Sequence, residues 1–170
     1  MMKILISACL LGEAVRYDGR DNAHKVLVWQ PIIRQWQALG WLVPVCPEVL
    51  GGLPIPRSAA EIQNGDGHHV IARQANVKTC IGTDVTSAFI AGAERTLTLA
   101  REHQADIALL AARSPSCGKH TIYDGSFSGT QVMGIGVTVA LLEQQGIRCF
   151  NPEEIDTLQK VIQSRIDQSP

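Results

Sequence analysis

The sequence predicts an α/β protein: three layers built on a mainly parallel sheet, Rossmann-like or flavodoxin-like, with one hairpin insertion. Three observations predict it. Short apolar runs, each too brief for a buried helix, recur along the chain. Segments with helical periodicity separate those runs, the alternation that gives parallel strands. Loops rich in Gly, Pro and Ser follow the strand ends, where open α/β sheets bind their ligands.

Lys3 to Ala8 reads as the first buried strand, with Gly12 and Gly19 soon after it. A helix follows over Asn22 to Leu39, divided by Pro31, which lacks an amide proton and clashes with the preceding turn. Beyond it, Ile32, Ile33, Trp36 and Leu39 share one face, and Gly40 stops the helix. Trp41 to Cys46 is the second strand. The CPEVLGGLPIPR stretch carries three prolines and two glycines and reads as a loop. An NGDG turn within Glu61 to Arg73 marks the hairpin insertion, with His68 and His69 exposed.

Thr83 or Asp84 caps a helix running to about Gln104, whose core face is Phe89, Ala93, Leu97 and Ala100. Asp106 to Ala112 is the third strand. RSPSCGKHTIYDGSFSG after it is a loop, and its YDGSFSG part is either a mobile lid or a hairpin. Gly136 to Gln145 is a helix stopped by Gly146, and Ile147 to Phe150 is the fourth strand. Asn151, Pro152 and Glu154 start the final helix as cap, first-turn proline and capping-box acid. That helix buries Ile155, Leu158, Ile162 and Ile166. Residues 1–170 read as a single domain.

Composition narrows the function. Fifteen Lys and Arg balance sixteen Asp and Glu, a net charge of -1 without basic runs, which argues against nonspecific or stable nucleic-acid binding. No apolar run approaches the roughly 20 residues of a membrane span, and the N-terminus lacks a cleavage-site pattern. The protein therefore reads as cytoplasmic. Its five cysteines are odd in number and widely spread, which favours thiols or metal ligands over disulfides.

Three cysteines fall at the strand ends. Cys9 follows the first strand, Cys46 ends the second, and Cys117 lies a few residues past the third. The fold can bring them to one rim, and three thiolates together suit a soft metal or an iron–sulfur cluster. The alternative is that Cys9 and Cys46 are simply buried small residues. Cys149, inside IRCF, reads as packing, and Cys80 as a packed or partly exposed thiol. His120 is either a fourth ligand in a zinc site or a loop histidine that hydrogen-bonds or faces solvent.

Glu48, two residues beyond Cys46, is either a general acid or base or an ordinary loop acid. Ser114 and Ser116 in SPSCG, with Lys119, either hold an anion or carbonyl or simply form the turn. Arg16, Asp18 and Arg57 are each either a substrate contact or a surface ion-pair partner, with Asp18 leaning to the surface and Arg57 to the site. A non-enzymatic zinc or anion-binding module on the same cysteines is the rival reading. A thiol enzyme with Cys9 as nucleophile is a third.

SACLLGEAVRYDG, VCPEVLGGLPIPRSAAEI, DVTSAFIAGAERTL and RSPSCGKHTIYDGSFSG stand in the order and character of the DUF523 family, which includes the thiouracil desulfidases. The chain resembles that family over essentially its whole length. The resemblance implies a [4Fe-4S] cluster held by Cys9, Cys46 and Cys117 with one iron open, a catalytic carboxylate at Glu48 and a catalytic serine at Ser114. It further implies a non-redox, hydrolytic desulfuration. The sulfur of a thiolated pyrimidine, a thiouracil or 4-thiouridine monophosphate, binds the open iron, and the oxo product and hydrogen sulfide leave. Arg57, Ser116 and Lys119 are the candidates for holding a phosphate on the nucleotide substrate. Family members often carry a lysine just before SPSCG, where this chain has Ala111 and Ala112.

Overall fold

The structure, a computed structural model, describes residues 1–168. The first strand, β1 (Ile4–Ser7), is buried at all four positions. Its sequence shows no alternation because both faces of a parallel sheet are covered. A 3-10 turn over Ala8–Leu11 follows, then a 3-10 segment over Ala23–Trp29. Next come α1 (Gln30–Ala38), β2 (Leu42–Val45) and a one-turn helix, α2 (Pro47–Leu50). The insertion comprises β3 (Ala60–Gln63), α3 (Gly67–Ile71) and β4 (Asn76–Thr79). The chain continues through α4 (Thr86–Glu102), β5 (Ile107–Leu109), β6 (Thr121–Tyr123) and β7 (Gln131–Met133). It ends with α5 (Val137–Gln144), β8 (Arg148–Phe150) and α6 (Ile155–Asp167).

Four strands form the parallel sheet, in the order β2-β1-β5-β8. Ile4 lies opposite both Leu42 and Ile107, and Ser7 opposite Val45. Three adjacent strands therefore finish at one edge of the sheet. The main core joins Ile4 to Ile6 and Ile107 to Leu110 with Ile33 and Trp36 of α1, Leu97 of α4, Leu142 of α5 and Leu158 of α6. A second cluster, around Ile62, Val77, Phe89 and Ile122, seats the insertion, and Leu141 packs against both clusters.

The α/β class, the parallel sheet and the inserted ribbon match the expectation, and several details differ. The segment before Pro31 is 3-10 rather than α, because Val26 (φ -122°) interrupts the helical backbone. Pro31 occupies the first turn of α1, where its missing amide costs nothing. Leu39 and Ile166 lie at the ends of their helical stripes and are exposed. CPEVL is not a loop: Cys46 caps α2, and Pro47 begins it.

The NGDG sequence does not close a hairpin directly. Asp66 starts α3, accepting the amide of His68 at 3.0 Å, while its own amide donates to His69 Nδ1 at 3.2 Å. The antiparallel partner of β3 is β4, beyond that helix. His68 and His69 are exposed. Helix α4 starts at Thr86, whose amide donates to Asp84 Oδ1 at 2.9 Å.

The long Ser- and Gly-rich segment is in part a hairpin, β6 paired with β7. Its tip is tethered to β3: Phe127 donates its amide to Glu61 Oε2 at 3.0 Å, and Gln63 Nε2 donates to the Gly125 carbonyl at 2.9 Å.

Helices α2 and α4 touch through glycine. A methyl group on Gly92 would lie 2.0 Å from the Pro47 carbonyl oxygen, and one on Gly51 2.0 Å from that of Ala88. Both contacts are with backbone that cannot rotate away. Gly92→Ala is therefore expected to cost at least about 1–3 kcal/mol, the usual range for overpacking. Thermal denaturation should show a Tm several degrees lower, and an unchanged Tm would contradict the close approach.

Candidate active site

Each candidate thiol is placed by a local device at the end of its strand. Cys9 sits in the 3-10 turn after β1, closed by Gly12 at φ +95°. Cys46 is the residue before α2, and its thiol lies 3.8 Å from the Val15 carbonyl. Cys117 lies in a tight turn organised by Ser114, whose Oγ accepts the amides of Ser116 and Cys117, both at 3.0 Å. Gly118 then donates its amide to the Ser114 carbonyl at 2.8 Å.

Cys9 and Cys117 are buried, and Cys46 is half-buried. Burial is the largest influence on all three and pushes each thiol above its ordinary range. The negative charges of Cys46 and Cys9 raise Cys117 further, and that of Cys46 raises Cys9, so the three sulfurs share one electrostatic neighbourhood. The side chain of Asn22 and the guanidinium of Arg16 oppose the rise at Cys9. The backbone amides of Val49 and Glu48 oppose it at Cys46, and Ser7 opposes it at Cys117.

Among the described residues no three His, Cys, Asp or Glu side chains are grouped to hold a single metal ion. The candidate fourth zinc ligand is engaged elsewhere: His120 Nε2 lies 2.9 Å from Glu154 Oε1, and its side chain is 57% exposed.

Glu48 and Arg57 form an ion pair beside the thiols. Arg57 Nε and Nη2 approach Glu48 Oε2 at 2.6 and 2.5 Å, and the two side chains are only 7% and 15% exposed for Arg57 and Glu48. Arg57 Nη2 also donates to the Val15 carbonyl at 3.0 Å, and Nη1 to that of Pro54 at 3.2 Å. The loop after β1 and the loop after β2 are thereby joined. Glu48 Oε1 has no partner among the described residues.

The other candidates are distributed elsewhere. Ser116 is buried, with its hydroxyl 2.9 Å from Thr138 Oγ1 on α5. Lys119 Nζ pairs with Glu143 Oε1 at 2.5 Å. Arg16 bridges Asp18 at 3.2 Å and Asn22 Oδ1 at 2.5 Å. Cys149 is buried in β8 with its thiol pushed up to about 12 by burial, and Cys80 is exposed.

Two residues at the site escaped sequence reasoning. Ser7 Oγ lies 3.8 Å from Cys117 Sγ, and Asn22 Nδ2 lies 3.6 Å from Cys9 Sγ. Ser7 is the one polar side chain in β1, which was a usable signal. Asn22 stood among ordinary turn and helix-start residues and gave none.

Comparison with known proteins shows the family. The family model described as 2-thiouracil desulfurase matches residues 4–154. The protein YbbK of Bacillus subtilis (strain 168), described as uncharacterized, is 40% identical over 155 residues, covering 91% of this chain and 99% of its own length. The solved structure of the [4Fe-4S]-dependent thiouracil desulfidase TudS superposes with a TM-score of 0.84 at 40% identity, covering 96% of this chain and 99% of that one. With the family model spanning most of its length, the chain belongs to the 2-thiouracil desulfurase family.

Proposed function

We propose that this protein is a desulfidase that removes sulfur hydrolytically from a thiolated pyrimidine, using a [4Fe-4S] cluster held by Cys9, Cys46 and Cys117. The observation that carries the proposal is geometric: β2, β1 and β5 finish together, Ser7 at the end of β1 reaches Cys117, and the Val15 carbonyl links Cys46 to the buried Glu48–Arg57 pair. The donor set fits the group: three soft, unpaired cysteine sulfurs, mostly buried, beyond the ends of adjacent strands. When bound, such a cluster supplies an open iron as Lewis acid for the substrate's soft sulfur.

The chain's own residues supply the acid–base chemistry. Glu48 acts as the base that takes a proton from the attacking water at Oε1. Arg57 holds Oε2 and so fixes the direction of the other oxygen. Ser114 already accepts two amide protons at Oγ, so its own hydroxyl proton is available to the substrate. It orients the ring, and the proton taken up by Glu48 returns to the departing sulfide. Residues 1–170 act in this reading as one catalytic domain, whose two clusters meet at Leu141.

The substrate is a thiouracil or its nucleotide. Of the residues considered for a phosphate, Arg57 is committed to Glu48, Ser116 to Thr138 and Lys119 to Glu143. A phosphate would have to be read by other groups.

Anaerobically reconstituted protein is expected to release sulfide from 2-thiouracil, 4-thiouracil or 4-thiouridine monophosphate. Glu48→Gln should lower kcat by about 10²–10⁴, the usual contribution of a positioned base, with iron content unchanged. Full activity in that variant would remove Glu48 from the mechanism. Arg57→Lys should retain more activity than Arg57→Ala, because a lysine keeps the charge while losing the two-nitrogen grip. Equal rates for the two variants would contradict the clamp. Lys119→Ala should leave the ratio of kcat/KM for nucleotide over base within about twofold, well under the tenfold that 1.4 kcal/mol of recognition would give. A selective tenfold loss for the nucleotide would make Lys119 a phosphate contact.

A further inference from the structure

We infer that Ser7 and Asn22 are positioning residues for the cluster, each donating a hydrogen bond to one buried thiolate ligand. This inference rests on the cluster assignment proposed above.

Ser7 is the last residue of β1 and is 3% exposed. Its Oγ accepts the amide of Ala111 at 2.9 Å from the end of the neighbouring strand. With that lone pair occupied, the hydroxyl proton is directed at Cys117 Sγ, 3.8 Å away. The contact crosses 110 residues of sequence, from one strand end to the turn beyond another.

Asn22 is oriented by a second chain of contacts. Its Oδ1 accepts from Arg16 Nη1 at 2.5 Å, and Asp18 holds that guanidinium at 3.2 Å on two nitrogens. An arginine has no acceptor, so the amide cannot be flipped, and Nδ2 must face the sulfur of Cys9 at 3.6 Å. The backbone amide of Asn22 also donates to the Cys9 carbonyl at 2.7 Å. Arg16 and Asp18 thereby acquire a role: they set the orientation of the amide that serves the thiolate.

Cys46 differs from the other two: its thiol lies 3.8 Å from the Val15 carbonyl, an acceptor, and no side chain donates to its sulfur among the described residues. Two ligands thus have side-chain donors that substitution can remove. Hydrogen bonds to ligand sulfurs withdraw electron density, raise the reduction potential of a cluster and slow ligand loss. A cluster that serves as a Lewis acid without changing oxidation state needs both effects.

The test compares wild type with Ser7→Ala, Ser7→Thr and Asn22→Ala after anaerobic reconstitution. Midpoint potential, Fe–S stretching frequencies by resonance Raman and the rate of iron loss to a chelator are measured. Ser7→Ala and Asn22→Ala are each expected to lower the potential and to speed iron loss about tenfold or more, as is usual when an outer-shell partner is removed. Ser7→Thr, which keeps the hydroxyl, should restore both values.

Ser7→Ala also orphans the Ala111 amide and can misfold for that reason. Asn22→Ala then carries the test by itself. Unchanged potential, stretching frequencies and iron loss in cluster-loaded Asn22→Ala would overturn the inference. Wild-type protein that takes up no iron and sulfide would instead overturn the cluster assignment beneath it.

Discussion

The site depends on the register of three parallel strands. Ser7 stands opposite Val45, and Ile6 opposite Leu109, so β2, β1 and β5 stop at one level. Cys9 and Cys46, just past two of those ends, share the rim, and the Ser7–Cys117 contact brings the loop after β5 to it. Because the strand period is two, a slip of one residue would turn every side chain to the opposite face. Ile4, Leu5 and Ile6 and Ile107, Ala108 and Leu109 are apolar on both faces, so burial alone does not set the register. Ser7 supplies what the apolar residues cannot, by tying the end of β1 to the Ala111 amide and setting the register at the rim itself.

Around this rim, short turns do most of the positioning. Helix α2 is too short to be stable alone. It is held by the glycine contact with α4 and by Arg95, which donates to the Leu50 carbonyl. That support fixes two groups at once, since Cys46 precedes the helix and Glu48 lies within it. The Ser114 turn does the same for Cys117. Cys46, Glu48 and Cys117 are thereby mounted on short turns braced by the surrounding backbone.

Much of this was legible in the residues. The four sheet strands were readable because each is a short apolar run bounded by turn residues. The apolar stripe of α4 and the capping box of Asn151 and Glu154 were readable because their signals are local. Helix α2 was hidden by its prolines and glycines, since Pro47 marks a loop in general but a helix start in the first turn. The NGDG sequence misled for a similar reason: Asp66 caps a helix there instead of closing a hairpin. Cys9, Cys46, Cys117, Glu48 and Ser114 were singled out from motif and resemblance. The Arg57–Glu48 pair, the Ser7 and Asn22 contacts and the engagement of Ser116 and Lys119 were not legible. Each is a side-chain partnership set by the fold, with no pattern in the local sequence.

The most direct test of the account is metal analysis of the anaerobically purified or reconstituted protein. The account predicts about four irons and four acid-labile sulfides per chain, the composition of the [4Fe-4S] group of its relative. Replacing Cys9, Cys46 or Cys117 by serine should abolish or severely reduce that content. A colourless protein with one zinc and neither iron nor labile sulfide, prepared under the same exclusion of oxygen, would contradict it.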